Sequence, residues 1–76
     1  MNNQKMFGTI KWFKETKVYG YIIGSDEESY YFELSDCINQ KEQFKTGDKV
    51  LFIPMFTELE YAKKVEKVKE GDKYHE

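Results

Sequence analysis

The chain has 76 residues, 34% of them charged, with a net charge of −2 and an isoelectric point near 5.4. A chain this short forms one domain (1–76) near the lower size limit for a hydrophobic core, which disfavours a catalytic cleft and favours a binding module over an enzyme. The single cysteine excludes an intramolecular disulfide framework and fits a reducing compartment.

Three segments in the first half of the chain are predicted to be strands. Residues 6–13 and 17–23 are rich in β-branched and aromatic side chains and are separated by a polar turn. After a loop at 24–29, residues 30–34 form the third strand. Because side chains alternate between the faces of a strand, Tyr19 and Tyr21 share one face.

The second half of the chain is less regular. The longest connection, 35–49, ends in a Lys-Thr-Gly-Asp turn signal, and a fourth strand is predicted over 49–53. Pro54 lacks an N–H, so this strand must end there, bulge or lie at an edge. Residues 57–69 have helical spacing of apolar side chains, but a fifth strand would close a small barrel, and we favour the strand. The tail, 70–76, is predicted to be loose.

Five short strands predict an all-β fold, a five-stranded OB-type Greek-key barrel. An SH3-like barrel satisfies the same periodicity. No apolar run is long enough for a signal peptide or a membrane span, so we expect a cytoplasmic location.

Aromatic residues make up 17% of the chain, more than a core of this size readily buries. Rings in strands are more often core residues than ligand platforms. Exposed rings interleaved with lysines nevertheless suit single-stranded nucleic acid, because bases stack on rings and lysines follow the phosphates. The candidates for this role are Trp12, Tyr19, Tyr21 and Tyr31 with Lys11 and Lys17.

Charge is unevenly distributed along the chain. Residues 1–25 carry four lysines and one glutamate, a net charge of +3, whereas residues 26–42 carry a net charge of −5. The positive N-terminal third is compatible with a phosphate backbone. The chain has no arginine, which normally leads in phosphate recognition, so we expect modest, salt-sensitive affinity.

Two short motifs carry a resemblance to a known family. Residues 8–13 read Gly-Thr-Ile-Lys-Trp-Phe and residues 17–22 read Lys-Val-Tyr-Gly-Tyr-Ile. This pair closely resembles the opening of bacterial cold-shock proteins, and Ser-Tyr-Tyr-Phe-Glu-Leu-Ser at 29–35 looks like their second RNP-type motif. Residues 44–52 are similar to a later segment of the family, and the similarity is poor beyond them.

The resemblance implies an OB-type barrel that binds single-stranded RNA or DNA, with an RNA-chaperone or regulatory role and no cofactor, metal or small-molecule substrate. It implies stacking by the four candidate rings, with Phe13 at the edge of the same surface and Phe44 as a stand-in for a loop aromatic. The core that it implies is Ile10, Ile22, Tyr30, Phe32, Val50, Phe52 and Val65.

The sequence also departs from the family pattern. Glu33 stands where the family has histidine, Leu34 replaces an adjoining ring, and Val18 replaces the first glycine of the motif. These changes remove stacking platforms and place a negative charge on the expected binding path. They motivate a second hypothesis, in which the barrel binds a protein partner and has little affinity for nucleic acid.

Other polar groups give weaker signals. Asp26, Glu27 and Glu28 lack the spacing of a calcium loop and are interpreted as a solvated turn. A single histidine, His75, and a single cysteine, Cys37, cannot assemble a closed zinc site or a Cys/His catalytic pair. We interpret Cys37 as a small, partly buried residue and the lysine run at 63–69 as a solvated face.

Overall fold

The structure is a computed structural model that describes residues 4–68. Its strands are β1 (Met6–Lys14), β2 (Tyr19–Gly24), β3 (Ser29–Glu33), β4 (Lys49–Phe56) and β5 (Glu60–Lys67), and a 3₁₀ helix, Leu34–Asp36, follows β3. The strand favoured for 57–69 is therefore present as β5. The tail predicted to be loose, 70–76, and His75 lie outside the described residues. No helix in the described range is long and apolar enough to span a membrane.

The five strands form a closed barrel in the order β1-β2-β3-β5-β4. Neighbouring strands are antiparallel except β3 and β5, which run parallel and meet where Tyr31 pairs with Tyr61. The long connection between β3 and β4 makes this parallel contact possible, because it carries the chain away from β3 before β5 returns beside it. The predicted all-β, five-stranded barrel of OB type is confirmed.

The barrel interior holds the core that the family resemblance implied. All seven of its members are between 0% and 1% exposed. Cys37, Phe44, Ile53 and Ala62 are buried as well, and the first two of these come from the connection between β3 and β4. That connection therefore supplies core as well as a link between strands.

Phe44 does not occupy the position expected of a loop aromatic. Its ring is only 3% exposed and lies 5.5 Å from the ring centroids of both Phe13 and Phe32. The expectation that Phe44 stacks on a ligand is wrong, because the connection folds inward here and buries the ring beneath the barrel wall. Lys67 covers it from outside, with its ammonium 5.9 Å from the ring centroid.

Pro54 lies inside β4, which continues to Phe56. It pairs with Ala62 of β5 on one side, while on the other side β1 accompanies β4 only as far as Phe52. No ladder bond is therefore required from the missing N–H. Of the three arrangements predicted for this proline, the local edge is the one observed.

The turn before β4 holds the middle of β1. The Ile10 N–H donates to the Asp48 carbonyl at 2.8 Å, and the Gly47 N–H donates to the Ile10 carbonyl at 2.9 Å. The Thr46 hydroxyl donates to the Lys11 carbonyl at 3.2 Å. Gly47 adopts φ +96°, a conformation that glycine supplies at no steric cost. These bonds fix the backbone just before the candidate site.

Candidate nucleic-acid interface

A β-bulge in β1 determines the direction in which Trp12 points. Ile10 pairs with Ile22 and Trp12 pairs with Tyr21, so β1 contains one extra residue, Lys11. In a regular strand Ile10 and Trp12 would share a face. The extra residue reverses the alternation. Ile10 is consequently buried, whereas Trp12 is half-buried on the outer surface with its ring 5.4 Å from that of Tyr21.

Four half-buried rings, Trp12, Tyr19, Tyr21 and Tyr31, form one contiguous surface, the four-ring cluster. Tyr19 and Tyr21 lie on β2 between Trp12 on β1 and Tyr31 on β3. Centroid separations are 5.4 Å from Trp12 to each of the two β2 rings, and 5.8 Å and 5.7 Å from Tyr31 to Tyr19 and Tyr21. Sequence reasoning named all four rings as candidates, and the structure brings them together.

The angles between these rings bear on what the cluster can bind. Neighbouring planes are tilted by 38° to 79°, so no two rings of the cluster stack face to face. Ring faces that are not used internally remain available to planar groups from solvent. An array of this kind provides several separate platforms for successive bases.

Gly20 allows β1 and β2 to approach closely beneath the cluster. It pairs with Phe13, and a Cβ at this position would collide with the Trp12 carbonyl oxygen and lie 2.9 Å from the Phe13 Cα. Both obstacles are backbone atoms that cannot rotate away. Any larger residue at Gly20 would therefore displace the strand that carries Trp12.

Phe13 is placed differently from the other candidate residues. Its ring lies nearly parallel to that of Phe32 at 5.6 Å, with an interplanar angle of 22°, and it packs against the buried core. The bulge turns Trp12 outward and, by the same alternation, turns Phe13 inward. Its ring is not a member of the four-ring cluster.

Lysines flank the cluster on the β1 side. Lys11 occupies the bulge, Lys14 is the last residue of β1 and pairs with Tyr19, and Lys17 lies in the turn that joins β1 to β2; all three are exposed. None of the three forms a salt bridge within residues 4–68. By contrast, Lys67 is 3.3 Å from Asp48 and 3.8 Å from Glu42. The cations beside the rings are thus free to meet phosphates.

Glu33 lies at the β3 corner of the cluster. It pairs with Tyr19 across the strands, and its carboxylate Oε2 accepts a hydrogen bond from the Tyr31 hydroxyl at 2.7 Å. This bond, followed by partial burial and the Glu33 charge, raises the pKa of Tyr31 to about 12. The phenol therefore stays protonated and keeps donating to the carboxylate at neutral pH.

Val18 adopts φ +52° immediately before β2. A positive φ is strained for a β-branched residue, whose Cβ substituents crowd the backbone. The sequence carried a signal for this conformation, because Val18 stands where the resembling family has glycine. Its N–H donates to the Lys14 carbonyl and its carbonyl accepts from the Leu34 N–H, so the strained residue links the turn to the end of β3.

Tyr61 is a residue that sequence reasoning missed. It pairs with Tyr31 across the β3–β5 contact, and its neighbour Ala62 is fully buried. Alternation therefore places the half-buried Tyr61 side chain on the outer surface, on the far side of Tyr31 from the cluster. A strand is favoured for this segment, but its neighbour in the barrel is not predicted by the sequence, so the position of Tyr61 beside Tyr31 was not foreseeable.

The acidic turn between β2 and β3 has a structural role. Asp26 accepts a hydrogen bond from the buried Tyr30 hydroxyl at 2.6 Å and another from the Glu28 N–H at 3.0 Å. Burial and this bond raise the pKa of Tyr30 above its ordinary value. Among residues 4–68, no three His, Cys, Asp or Glu side chains are grouped in a way that could hold a metal ion.

Comparison with known proteins gives a result for structure and none for sequence. No model of a known protein family matches the chain, and no curated protein sequence matches it. The solved structure of Drosophila Unr CSD456 superimposes with a TM-score of 0.77 over 96% of this chain, at 15% sequence identity. The fold is that of a cold-shock domain. The chain corresponds to 30% of the length of that structure, which is therefore much larger than this barrel.

Proposed function

We propose that this cold-shock-type barrel binds single-stranded RNA or DNA by stacking bases on the four-ring cluster. The observation that carries the proposal is the closed arrangement of Trp12, Tyr19, Tyr21 and Tyr31, with centroids 5.4–5.8 Å apart, on one outer face. Exposed lysines that form no salt bridge with an acidic residue in the described part of the chain flank these rings. Stacking and mobile cations together are what single-strand binding without strong sequence demand requires.

The wider role that we propose follows from this mode of binding. A protein that holds unstacked single strands favours the open form of weak RNA structure, which is the basis of an RNA-chaperone or regulatory function. The proposal involves no chemistry on the nucleic acid. We also propose that the chain is a member of the cold-shock protein family. We further propose a cytoplasmic location, which the free, buried thiol of Cys37 supports because disulfides are rare in reducing compartments.

Fluorescence titration tests the proposal directly, because Trp12 is the only tryptophan of the chain and belongs to the cluster. At low salt, an unstructured oligonucleotide should quench its emission with micromolar affinity. Tyr19→Ala or Tyr31→Ala should weaken binding about fivefold to a hundredfold, since each base stack contributes about 1–3 kcal/mol. Circular dichroism should show an intact barrel in both variants.

Phe56→Ala is a matched control, because it removes a ring that is 65% exposed but lies outside the cluster. Its affinity for the oligonucleotide should equal that of the unmodified chain. If no quenching occurs at high micromolar concentrations, or if the two tyrosine variants bind as tightly as Phe56→Ala, single-strand binding at this face is refuted.

A second candidate function is binding of a protein partner on the same face. The exposed Glu33 carboxylate on the ring surface favours it, as does the net charge of −5 over residues 26–42. A ring-rich surface with a negative border suits a basic partner. Affinity capture that recovers one protein and no nucleic acid, together with a negative titration, would support this candidate over the first.

A further inference from the structure

The Glu33 carboxylate is placed where it meets the edge of a stacked base. Glu33 is exposed, pairs with Tyr19 and lies two residues after Tyr31, so its side chain leaves the sheet on the same face as both rings. Because the Tyr31 hydroxyl contacts the Glu33 carboxylate at 2.7 Å, a base stacked on the Tyr31 ring would bring one of its edges close to that carboxylate. The carboxylate at the corner of the cluster is therefore within the layer that the bases would occupy.

Three hydrogen bonds hold Glu33 in this position, one of them from the Asp36 backbone N–H to the Glu33 side chain. The Tyr31 hydroxyl donates to Oε2 at 2.7 Å, and the Glu33 backbone N–H donates to the Asp36 carboxylate at 3.0 Å. No salt bridge within residues 4–68 neutralises the Glu33 charge. The side chain is thus an oriented anion, and the Tyr31 phenol and the Asp36 N–H together use about two of the roughly four acceptor positions of a carboxylate.

An ionised carboxylate accepts hydrogen bonds and repels other acceptors, which makes it selective among the bases. Guanine presents two adjacent donors, N1–H and N2–H, and can bond a carboxylate through both. Cytosine and adenine each present one amino donor next to a ring-nitrogen acceptor. Uracil and thymine present carbonyl oxygens on both sides of a single N–H. Charge-assisted bonds to guanine are the strongest of these options.

The Glu33 carboxylate also affects the path that a bound single-stranded nucleic acid would take across this face. Phosphates are repelled by Glu33 and attracted by Lys11 on β1, so the nucleic-acid backbone should follow the β1 side of the cluster and direct base edges toward β3. This orientation brings Watson–Crick edges, which single strands leave free, to the carboxylate.

We infer that Glu33 makes this single-strand interface selective for guanine over uracil and thymine. The inference rests on the proposed function and specifies the ligand of the same face: a single strand that offers an unpaired guanine to the carboxylate beside Tyr31. It applies to RNA and DNA alike, because the base edge and not the sugar is recognised.

The test compares short thymine tracts that are identical except for one central base, which is guanine, adenine, cytosine or thymine, and a parallel series in RNA with uracil. Because the tract can slide along the face, the variable base can reach Glu33. Affinity is measured by Trp12 fluorescence at fixed low salt. Guanine should bind about tenfold more tightly than thymine or uracil, with adenine and cytosine between them.

Glu33→Gln keeps the shape of the side chain and removes its charge. It should reduce the preference for guanine to about twofold while leaving the affinity for the all-thymine tract unchanged or slightly higher. Glu28→Gln is the matched control, since it makes the same charge change in the turn at the other end of β3 and should preserve the preference. Tyr31→Phe keeps the ring but removes the hydroxyl that orients the carboxylate. The guanine preference of this variant should therefore lie between those of the unmodified chain and Glu33→Gln.

The outcomes separate this inference from the proposed function. If all tracts bind equally well, or if Glu33→Gln retains the full preference for guanine, selection by Glu33 is wrong and single-strand binding stands. If no tract of either series binds the unmodified protein, both are wrong. A guanine preference that disappears in Glu33→Gln and persists in Glu28→Gln supports both.

Discussion

At the scale of single residues, one strained residue and two hydrogen bonds lie at the corner where β2 and β3 meet the four-ring cluster, whereas the other described non-glycine residues with positive φ, Glu27 and Lys64, lie elsewhere. The carbonyl of Val18, a residue with φ +52°, accepts a hydrogen bond from the Leu34 N–H. The carboxylate of Glu33, the residue just before Leu34, accepts a hydrogen bond from the Tyr31 hydroxyl. Strained backbone tends to persist where the surrounding structure determines it, often beside binding sites. Val18 thus fixes the turn that presents both Lys17 and Tyr19.

Replacing Val18 with glycine should stabilise the fold. Left-handed backbone costs a residue with a side chain about 1–2 kcal/mol, and glycine's extra entropy in the unfolded chain offsets about 0.5–1 kcal/mol of the relief. We therefore expect Val18→Gly to raise the free energy of unfolding by about 1 kcal/mol, measured by urea denaturation. Val18→Ala retains the strain and should give almost no gain. Equal stabilisation by both variants would show that backbone strain is not the cause.

Cys37 determines part of the response to alkaline pH. Its thiol is 5% exposed, and burial, together with the nearby Asp36 and Glu42 charges, raises its pKa from 9.0 to about 12. In the unfolded chain the thiol ionises near pH 9, whereas in the fold it keeps its proton. Stability conferred by the neutral thiol is therefore complete below pH 9 and is lost as the pH rises from 9 toward 12.

Urea denaturation between pH 7 and pH 10.5 should show this loss. Cys37→Ala removes the titrating group, so its stability should fall less steeply with pH than that of the unmodified chain. The remaining slope belongs to Tyr30 and Tyr31, whose pKa values are also raised. Thiol labelling at pH 8 provides a second check, because the reactive thiolate is scarce in the fold and labelling should accelerate greatly in urea. Rapid labelling without denaturant would contradict the buried position.

At the scale of strands, the β1 bulge is the feature on which the interface depends. It separates Ile10, which belongs to the core, from Trp12, which belongs to the outer surface. The hydrogen bonds from 46–48 to Ile10 and Lys11 fix it from one side, and the close contact with Gly20 fixes it from the other. A bulge held from two sides can present a large ring outward without loosening the core below it.

Gly20→Ala should disturb this arrangement. The added Cβ would press on the Trp12 carbonyl and the Phe13 Cα, and overpacking of this kind typically costs about 1–3 kcal/mol. We expect lower stability in urea together with weaker oligonucleotide binding. Gly24→Ala is the control: a Cβ there would lie 2.7 Å from side-chain atoms of Met6 and Asp26, at the end of β2 away from Trp12, so it should lower stability and leave affinity unchanged. If Gly20→Ala folds and binds the oligonucleotide with unaltered affinity, the geometry of the bulge does not determine binding at this face.

The sequence predicted the strands because apolar alternation is a local pattern, and the family resemblance implied most of the core. Tyr19 and Tyr21 were assigned to one face for the same reason, and their pairing with β3 then places Tyr31 beside them. The bulge was not predictable from the sequence pattern, because Lys11 fits ordinary alternation and the bonds that fix the bulge come from about 35 residues away. Phe44 was misassigned since its burial depends on how the long connection folds inward, which no local pattern specifies.

At the scale of the whole molecule, the net charge of −2 is divided between distinct regions. Three lysines that form no salt bridge within the described residues border the cluster: Lys11, Lys14 and Lys17. Elsewhere on the barrel, Lys5 is paired with Glu66, and Lys67 is paired with Asp48 and Glu42. Attraction of phosphates is therefore local and rests on few charges. Stacking, which does not depend on salt, should supply most of the binding free energy.

This division predicts a salt sensitivity that corresponds to only two or three phosphate contacts. Each phosphate neutralised on a single strand contributes about −0.7 to the slope of log affinity against log salt concentration. Two or three lysines give a slope of roughly −1.5 to −2, so affinity should fall roughly tenfold between 50 and 200 mM salt.

Lys11→Ala or Lys17→Ala should each make the slope less negative by about 0.7. Lys5→Ala, which removes a lysine 3.2 Å from Glu66, should leave the slope unchanged. A slope steeper than about −4, or one insensitive to Lys11 and Lys17, would mean that the strand follows a different and more cationic path across the barrel.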